Sequence, residues 1–321
     1  MALEDVARYN KGLLDFHNHS TYSDGGDTPT ELVKRAVDRG VSAMALTDHH
    51  GVGGLPEFMN ACKKYDILGI SFGTEISAEL PEYVLTPQDM SSPDLIILGK
   101  NPNVGPMKGY QEIYFNDMEK RHLPEVLDGL RSVGFEIPSV DLKEQCASFH
   151  CPPDICHSFI DYKDNIEVLK KYVRTKDPEA TDEAIEGKPI AFVNRWLYAI
   201  GMPAYTSRFK GFDVDDAIGL TEDMNCKLFI AHPGGDYGFL TDRMLSYFIT
   251  KGVDGIEVRN YFNSEEQNTK FDKLASGYDL IRSGGSDCHG DKGPFRIGCY
   301  DKPNNQLPNE ILEELWDRLP E

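Results

Sequence analysis

Histidines and carboxylates recur along this chain in short clusters, and each cluster directly follows an apolar run. The clusters are His17-Asn18-His19, Asp48-His49-His50, Thr74-Glu75, Ala231-His232 and Asp287-Cys288-His289. Imidazole and carboxylate groups are ligands that zinc, manganese and iron take from proteins. Because residues two apart on a strand point to the same face, His17 and His19 could reach one ion together. The pattern therefore predicts a divalent-metal centre.

The recurrence of these clusters carries more weight than any one of them. A single histidine after a strand is usually a surface residue or a hydrogen-bonded core residue, so one motif is only a hypothesis. In this chain six of the nine histidines stand beside carboxylates at predicted strand ends. We therefore favour one shared site over chance clustering.

The apolar runs that precede the clusters predict strands that alternate with helices. The predicted strands cover residues 13–16, 41–46, 67–72, 95–98, 227–231, 255–258 and 280–283. Such alternation is typical of a parallel sheet in an α/β fold, either open or closed into a barrel. Active sites in these folds are built at the carboxyl ends of the strands, which is where five of the seven runs deliver histidine, aspartate or glutamate.

The helix after the first strand can be predicted from its ends. Thr28 is a good N-cap, Pro29 suits the first helical position, and Glu31 completes a capping box. Gly40 is expected to end this helix. Apolar residues at helical spacing also predict a core-packing helix over 309–319.

Residues 100–219 break the alternation of strands and helices. They carry helical patterns and many prolines, without clear strand signals. We therefore expect a helical insertion at 100–219 that forms a lid or substrate domain. Residues 1–99 and 220–321 would then form one barrel domain.

The composition excludes some classes of partner. Lys plus Arg number 33 and Asp plus Glu number 53, so the formal net charge is −20. Such acidity argues against a grip on long nucleic acid, which depends on Lys and Arg. It leaves a small anionic substrate open, because one local site can be positive on a negative protein. The 40% hydrophobic fraction and the mean hydropathy of −0.43 are typical of a globular protein.

The expected location follows from three further features. No apolar run approaches ~18 residues, so we expect no transmembrane helix and no membrane partner. Residues 1–12 lack the apolar segment of a secretory signal. Seven cysteines at irregular spacing are typical of free thiols in a reducing compartment. We expect a cytoplasmic protein, and the oligomeric state stays open.

The strand-end motifs resemble those of the PHP family, the polymerase and histidinol phosphatase domain phosphoesterases. The resemblance covers 17–98 and 228–298. It implies an α/β fold, a distorted seven-stranded (β/α) TIM-like barrel with a helical insertion, holding two or three divalent ions (Mn, Fe or Zn). By position, the resemblance implies a first ion held by His17, His19, Glu75 and Asp287, a second by the bridging Glu75 and His232, and a third by Asp24, His49 and His289.

One position departs from the family pattern. The family usually has a histidine in the fourth strand that helps to hold the second ion, whereas this chain has the apolar residue Ile96. The second site could then be weaker, empty, or completed from the insertion. The candidates for completing it are His122, His150, Asp154 and His157.

The chemistry expected of such a centre is hydrolysis by metal-activated hydroxide. We expect a metal-dependent phosphoesterase that acts on small phosphate monoesters such as nucleotides. The alternatives left open are an exonuclease on short oligonucleotides, a histidinol-phosphate phosphatase and a non-catalytic metal-binding regulatory barrel. Glu75 would act as the bridge. His232 or Asp48 could supply the proton for the leaving group, or Asp48 could orient a histidine ring.

Four residues are candidates for binding the substrate. Arg259 and Lys100 follow predicted strands and could meet phosphate, while Tyr22 and His50 lie beside expected ligands. Three further cations, Arg195, Arg208 and Lys210, could reach over the site from the insertion. The segment 146–157 lacks the spacing of a zinc motif. Cys288 is expected to be buried, because its side chain would point away from those of Asp287 and His289.

Overall fold

Eight strands occur in the described part of the chain. The computed structural model describes residues 3–86, 93–137, 159–160, 162–198, 201–205, 212–234, 240–261, 263–290, 297–298 and 306–321. The strands are β1 (Leu13–Asp15), β2 (Val41–Met44), β3 (Leu68–Gly69), β4 (Phe72–Ser77), β5 (Asp94–Gly99), β6 (Lys227–Ile230), β7 (Gly255–Asn260) and β8 (Ile281–Gly285). Strands alternate with helices over much of this length, which confirms the α/β class.

The strands form two sheets. A three-stranded parallel sheet has the order β1-β2-β3, and a five-stranded sheet has the order β4-β5-β6-β7-β8. Within the second sheet β5 runs antiparallel to both β4 and β6, whereas β6, β7 and β8 are parallel. The expectation of seven strands in a parallel sheet was therefore wrong in strand number and in the direction of β5.

The predicted strand 67–72 divides because the chain changes its pairing partner there. Ile70 still donates its backbone N–H to Met44 of β2, but Phe72 already pairs with Gly99 of β5. The change of partner cannot be predicted from the apolar run, because the residues before and after it are both mostly buried. Glu75 consequently lies within β4 and not after the end of a strand.

Because β5 is antiparallel, its first residue lies beside the last residues of β4 and β6. Asp94, the first residue of β5, pairs with Ser77, the last residue of β4. Antiparallel strands need no helical crossover. In its described part, the connection from β4 to β5 holds only the 3₁₀ turn Glu82–Val84.

Helices connect and flank the strands. The α-helices are α1 (Leu3–Val6), α2 (Pro29–Asp38), α3 (Leu55–Tyr65), α4 (Gly105–Asp117), α5 (Leu123–Ser132), α6 (Asn165–Lys176), α7 (Asp182–Gly187), α8 (Pro189–Val193), α9 (Val214–Asp223), α10 (Asp242–Lys251), α11 (Glu265–Tyr278) and α12 (Glu310–Arg318). There are also a 3₁₀ turn at Ala7–Tyr9 and π-helical turns at Met118–His122 and Asn194–Tyr198. Among the described residues, no helix has the length and apolar character needed to cross a bilayer.

Two helices confirm what their sequences indicate. The Thr28 side chain accepts a hydrogen bond from the backbone of Glu31, whose carboxylate accepts one in return, so α2 begins with the predicted capping box. Gly40, just after this helix, has a φ of 80°. Helix α12 buries the apolar residues of the C-terminal pattern, including Leu315 and Trp316.

The chain divides into two units. The first comprises Met1–Ala78, Pro93–Gln111 and Phe212–Glu321, and the second comprises Glu79–Ser92 and Glu112–Gly211. The first unit contains all eight described strands. The second unit has its own apolar core, to which α5, α6, α7 and α8 contribute. The role of the inserted region as a lid stays a prediction.

Backbone hydrogen bonds connect the two sheets on both sides within the first unit. At one junction Phe16 donates to Gly284, and Asp287 donates to His17. At the other, Glu75 donates to Asp48 and His50 donates to Glu75. These bonds bring the carboxyl ends of β1, β2 and β8 to the same place as the side chain of Glu75.

Candidate metal centre

Three groups of side chains in the first unit could each hold a metal ion. The groups are His19, Asp24, His49 and His289; His17, Glu75 and His232; and His17, His19 and Asp287. Within each group the donor atoms all lie within 4.8 Å of one another. All eight residues expected to bind metal are thus brought together, although they come from positions up to 272 residues apart (from 289 − 17).

His17 and His19 form the centre of the cluster. Their Nε2 atoms lie 3.1 Å apart, which places both nitrogens around one small volume. Glu75 Oε2 lies 3.3 Å from His17 Nε2 and 3.2 Å from His19 Nε2. Asp287 Oδ1 is almost as close, at 3.4 and 3.2 Å. This is the donor set that the family resemblance implies for the first ion.

Glu75 also extends the cluster toward His232 and His49. Its Oε1 lies 3.0 Å from His232 Nε2, while its Oε2 lies 3.2 Å from His49 Nδ1. The carboxylate therefore touches donors of all three groups. Such a position suits the bridging role expected for Glu75.

Asp24 is the carboxylate of the third group. Its Oδ2 lies 3.1 Å from His289 Nε2 and 3.6 Å from His49 Nε2, and its Oδ1 lies 3.6 Å from His19 Nδ1. The rings of His19 and His289 stack with their centroids 4.3 Å apart. Close imidazoles with a carboxylate between them form a donor set typical of zinc, manganese or iron.

The backbone is held in unusual conformations at this site. His232 and Asp287 have φ values of 24° and 56°, which non-glycine residues rarely adopt. Strain of this kind persists only where the surroundings hold it, and it collects at functional sites. Gly285 allows the close approach that is needed here, because a Cβ at this position would collide with His17.

The electrostatics are those of a cluster of opposite charges. Burial raises the pKa of Glu75, but the neighbouring histidines, led by His17, outweigh it and hold that pKa well below its usual range. Burial lowers the pKa of His232 and His289, yet Glu75 raises the former to about 9, and Asp24 and Asp287 raise the latter to about 10. Metal ions would replace these protons as the partners of the carboxylates.

His49 Nδ1 provides a test of the fit to metal. This buried atom has no hydrogen-bond partner among the described residues, although a carboxylate oxygen lies 3.2 Å away. Buried nitrogens normally form hydrogen bonds or bind metals. The unsatisfied nitrogen and the mixed imidazole and carboxylate donors therefore fit divalent ions.

Glu257 is a neighbour of the cluster that sequence reasoning missed. It is fully buried in β7, and its Oε1 lies 3.1 Å from His17 Nδ1. Its Oε2 accepts a hydrogen bond from the backbone N–H of His232. The available signal was a lone glutamate inside an otherwise apolar strand, Gly255-Ile256-Glu257-Val258.

Asp48 is buried beside the cluster, but its hydrogen bonds go elsewhere. Its carboxylate accepts from the backbone and hydroxyl of Ser20, and from the hydroxyl of Ser23 at 2.7 Å. In this arrangement Asp48 holds the loop that carries Asp24. The expected hydrogen bond from a ring N–H of His17, His19 or His49 to the Asp48 carboxylate is not among the bonds of the described residues.

The two expected phosphate-binding cations point away from the cluster. Arg259 bonds to Asp272 of α11 at 2.6 Å, because a bulge between Glu257 and Arg259 breaks the alternation of β7. Lys100 follows the antiparallel β5 and therefore lies at the opposite strand end, where it pairs with Glu321. The assumption that Lys100 follows a parallel strand was wrong.

His50 and Tyr22 lie near the donors in different settings. His50 is buried at a φ of 49°, with its Nδ1 2.6 Å from the hydroxyl of Tyr110. Its backbone oxygen accepts a hydrogen bond from Gln111. Tyr22 is 46% exposed, which leaves its ring available to a ligand.

The apolar position in the fourth predicted strand lies beside Glu75. Ile96 pairs with Glu75 in the register of β4 and β5 and is fully buried. Asp94, two residues earlier, places its Oδ2 4.0 Å from His232 Nε2. Sequence reasoning missed Asp94 because it treated β5 as parallel.

Only some of the candidate ligands and cations from the insertion lie among the described residues. His122 is buried in the second unit, and Arg195 lies over the ring of Trp196. His150, Asp154, His157, Arg208, Lys210 and the cysteines of segment 146–157 lie outside the described residues. Cys288 is buried, as expected, and burial raises the pKa of its thiol to about 12.

Comparisons with known proteins agree with this picture. Residues 15–173 match the PHP domain. The chain is 28% identical over 309 residues to the 3',5'-nucleoside bisphosphate phosphatase of Chromobacterium violaceum, covering 95% of this chain and 96% of the relative. It is 24% identical over 311 residues to the 5'-3' exoribonuclease of Haemophilus influenzae, covering 95% and 98%.

A solved structure shares the fold. A proposed metal-dependent phosphoesterase of Bifidobacterium adolescentis superposes with a TM-score of 0.63 over 96% of each chain, at 20% identity. The fold is thus shared along nearly the whole chain, and the sequence match begins at β1, which delivers His17 and His19. The chain therefore contains a PHP domain over residues 15–173.

Proposed function

We propose that this protein is a metal-dependent phosphoesterase that hydrolyses phosphate monoesters of nucleotides. The observation that carries the proposal is the position of Glu75, whose carboxylate lies within 3.3 Å of ring nitrogens of His17, His19, His49 and His232. A carboxylate shared among several imidazoles is suited to bridging divalent ions. The phosphatase of Chromobacterium violaceum, similar over nearly its full length, supports the substrate class.

The three donor groups suggest two or three ions, of manganese, iron or zinc. Bound there, such ions would activate water and neutralise charge on the phosphate oxygens. In this proposal His17, His19 and Asp287 would hold the first ion, Glu75 would be shared between the first and the second, and Asp24, His49 and His289 would hold the third. His232 would act as a ligand or exchange a proton with the leaving group.

The finer features of the fold and setting are also proposals. The hydrogen bonds that join β1 to β8 and β2 to β4 support a barrel-like closure of the two sheets. The free cysteines of the described residues, all buried, are compatible with a reducing, cytoplasmic setting. The charge of −20 supports a small phosphorylated substrate over long nucleic acid.

The test is phosphate release from defined substrates. Purified protein is stripped with a chelator, reloaded with Mn²⁺, Fe²⁺ or Zn²⁺, and assayed on nucleoside monophosphates and 3',5'-nucleoside bisphosphates. We expect release that depends on added metal and is greatest on one class of nucleotide. No metal-dependent release from any of these substrates would overturn the proposal.

A second candidate activity is trimming of short oligonucleotides. It is supported by the similarity to the exoribonuclease of Haemophilus influenzae, which extends over 95% of this chain. An end-labelled RNA pentamer separates the two activities under the same conditions. Stepwise shortening at a rate above that of bisphosphate hydrolysis would favour the exonuclease.

A further inference from the structure

Glu257 stands in an environment that ordinarily disfavours a carboxylate. It lies inside β7 between Ile256 and Val258, and its side chain has no exposed surface. Burial of a charged group is costly unless partners satisfy it. Glu257 has such partners, since one oxygen faces a side chain of the cluster and the other faces a backbone N–H.

We propose that Glu257 is a positioning residue that orients His17 and His232 together and so couples the residues proposed for the first ion to those proposed for the second. This inference rests on the metal-dependent function proposed above. Glu257 itself lies behind the rings that face the metal positions, and it acts through the residues it holds.

The contact with His17 selects one form of the imidazole ring. A carboxylate only accepts hydrogen bonds, so Glu257 Oε1, 3.1 Å away, places the proton on His17 Nδ1. The lone pair of Nε2 is then directed toward Glu75 Oε2 and Asp287 Oδ1, at 3.3 and 3.4 Å. Metal-binding histidines commonly donate their second ring N–H to a carboxylate in this way.

The contact with His232 holds a backbone turn. His232 has a φ of 24°, a conformation that needs support from its surroundings. Its N–H donates to Glu257 Oε2, which also lies 3.3 Å from Asn260 Nδ2. With this turn fixed, His232 Nε2 lies 3.0 Å from Glu75 Oε1.

The two contacts together require a carboxylate. A glutamine at this position has the same size but offers one accepting oxygen and one NH₂ group, which opposes another N–H donor. The Glu257→Gln variant can therefore satisfy both His17 and the His232 backbone only if the His17 ring proton moves to Nε2, the nitrogen that faces Glu75 and Asp287.

Glu314→Gln is the matched control. Glu314 also accepts one backbone N–H and one side-chain N–H, both from Arg282 of β8, at 3.1 and 2.8 Å. Each substitution thus replaces a carboxylate that accepts one backbone and one side-chain N–H, Glu257 in β7 and Glu314 in α12, but only the first removes contacts to metal-site histidines.

The experiment measures metal binding to folded protein by competition with a coloured chelator, using Mn²⁺ as the probe. Near-ultraviolet circular dichroism confirms the fold of each variant. We expect E257Q to bind Mn²⁺ about 10- to 100-fold more weakly, and E314Q to bind as the wild type does. A merely structural role for Glu257 would lower the melting temperature and leave the affinity of the folded protein unchanged.

Unchanged affinity in E257Q, or an equal loss in E314Q, overturns the inference while the proposed function stands. A wild-type protein that binds no Mn²⁺ overturns both. If E257Q does not fold, ¹⁵N spectra of zinc-loaded wild type provide the second test. We expect the proton of the His17 ring on Nδ1, and a proton on Nε2 contradicts the inference.

Discussion

Glu75 and His49 are paired both through the backbone and through their side chains. They form an isolated parallel β-bridge, and Glu75 Oε2 lies 3.2 Å from His49 Nδ1. The same residue pair therefore joins the two sheets and connects two of the donor groups. Glu75 thus has a packing role at the junction of the sheets and a chemical role in the donor cluster. A substitution that keeps its size but removes its charge tests the chemical role alone.

Glu75→Gln should weaken metal binding and abolish most activity. The amide preserves the volume but removes the charge that Glu75 presents to four histidines. Loss of a group that merely orients a ligand costs about 10- to 100-fold in metal affinity or activity, so loss of the shared carboxylate should cost more than about 100-fold. The measurement is kcat with saturating Mn²⁺, together with metal content after desalting. Near-normal turnover in E75Q would contradict the bridging role.

Asp24→Asn should remove one ion while the others remain. Asp24 is the carboxylate that His289 and His49 share, and it belongs to one donor group only. The control is Asp27→Asn, since Asp27 pairs with Arg35 in a nearby ion pair. Elemental analysis should show about one metal equivalent fewer in D24N than in D27N. Equal metal content in the two variants would remove Asp24 from the ligand set.

Metal affinity should rise with pH. The pKa of His232 in the metal-free protein is about 9 against an ordinary 6.5, so a metal ion must displace a proton there throughout the neutral range. The raised pKa also means that protonated His232 stabilises the metal-free fold below about pH 6.5, and that this contribution is lost as the pH rises through 9.

Titration calorimetry in two buffers of different ionisation enthalpy measures the effect. We expect protons to be released when Mn²⁺ binds at pH 7.5, and affinity to increase between pH 6.5 and 8.5. The melting temperature of the chelated protein should fall toward pH 9. Affinity that does not vary with pH would show that the donors are already deprotonated.

Arg259→Ala should reduce stability and leave substrate binding unchanged. Sequence reasoning assigned Arg259 to phosphate, but its guanidinium bonds to Asp272 and to backbone oxygens of Val258 and Asn268. Loss of these hydrogen bonds should lower the free energy of unfolding by about 1–2 kcal/mol. Asp272→Asn should have a smaller effect in the same direction. A large rise in KM for R259A with unchanged stability would restore the original assignment.

Ile96→His should tighten binding of an ion at the second group. Ile96 pairs with Glu75 across β4 and β5, so an imidazole there would lie beside the carboxylate that also contacts His232. Ile97→His is the control, because neighbouring residues on a strand point to opposite faces. Both variants put a polar group into a buried strand and should lose stability. Only I96H should gain metal affinity, and an equal response of the two variants would contradict this geometry.

The sequence by itself determined which residues form the candidate centre. Ligand-type side chains follow apolar runs at several places, and the carboxyl ends of strands converge in α/β folds, so most members could be named from the pattern. The grouping of the ligands and the inclusion of Asp24 came from the resemblance to the PHP family. The capping box of α2 was equally local, since Thr28, Pro29 and Glu31 interact within one helical turn.

Only the tertiary structure decided the direction of β5, the division of 67–72 into β3 and β4, and the partners of the charged side chains. Strand direction depends on which distant segment supplies the hydrogen bonds, and an apolar run reads the same in either direction. A bulge turned Arg259 toward α11, and the Asp48 carboxylate accepts hydrogen bonds from Ser20 and Ser23. Glu257 gained its place because folding brought β7 behind His17, a contact across 240 residues that no local pattern records.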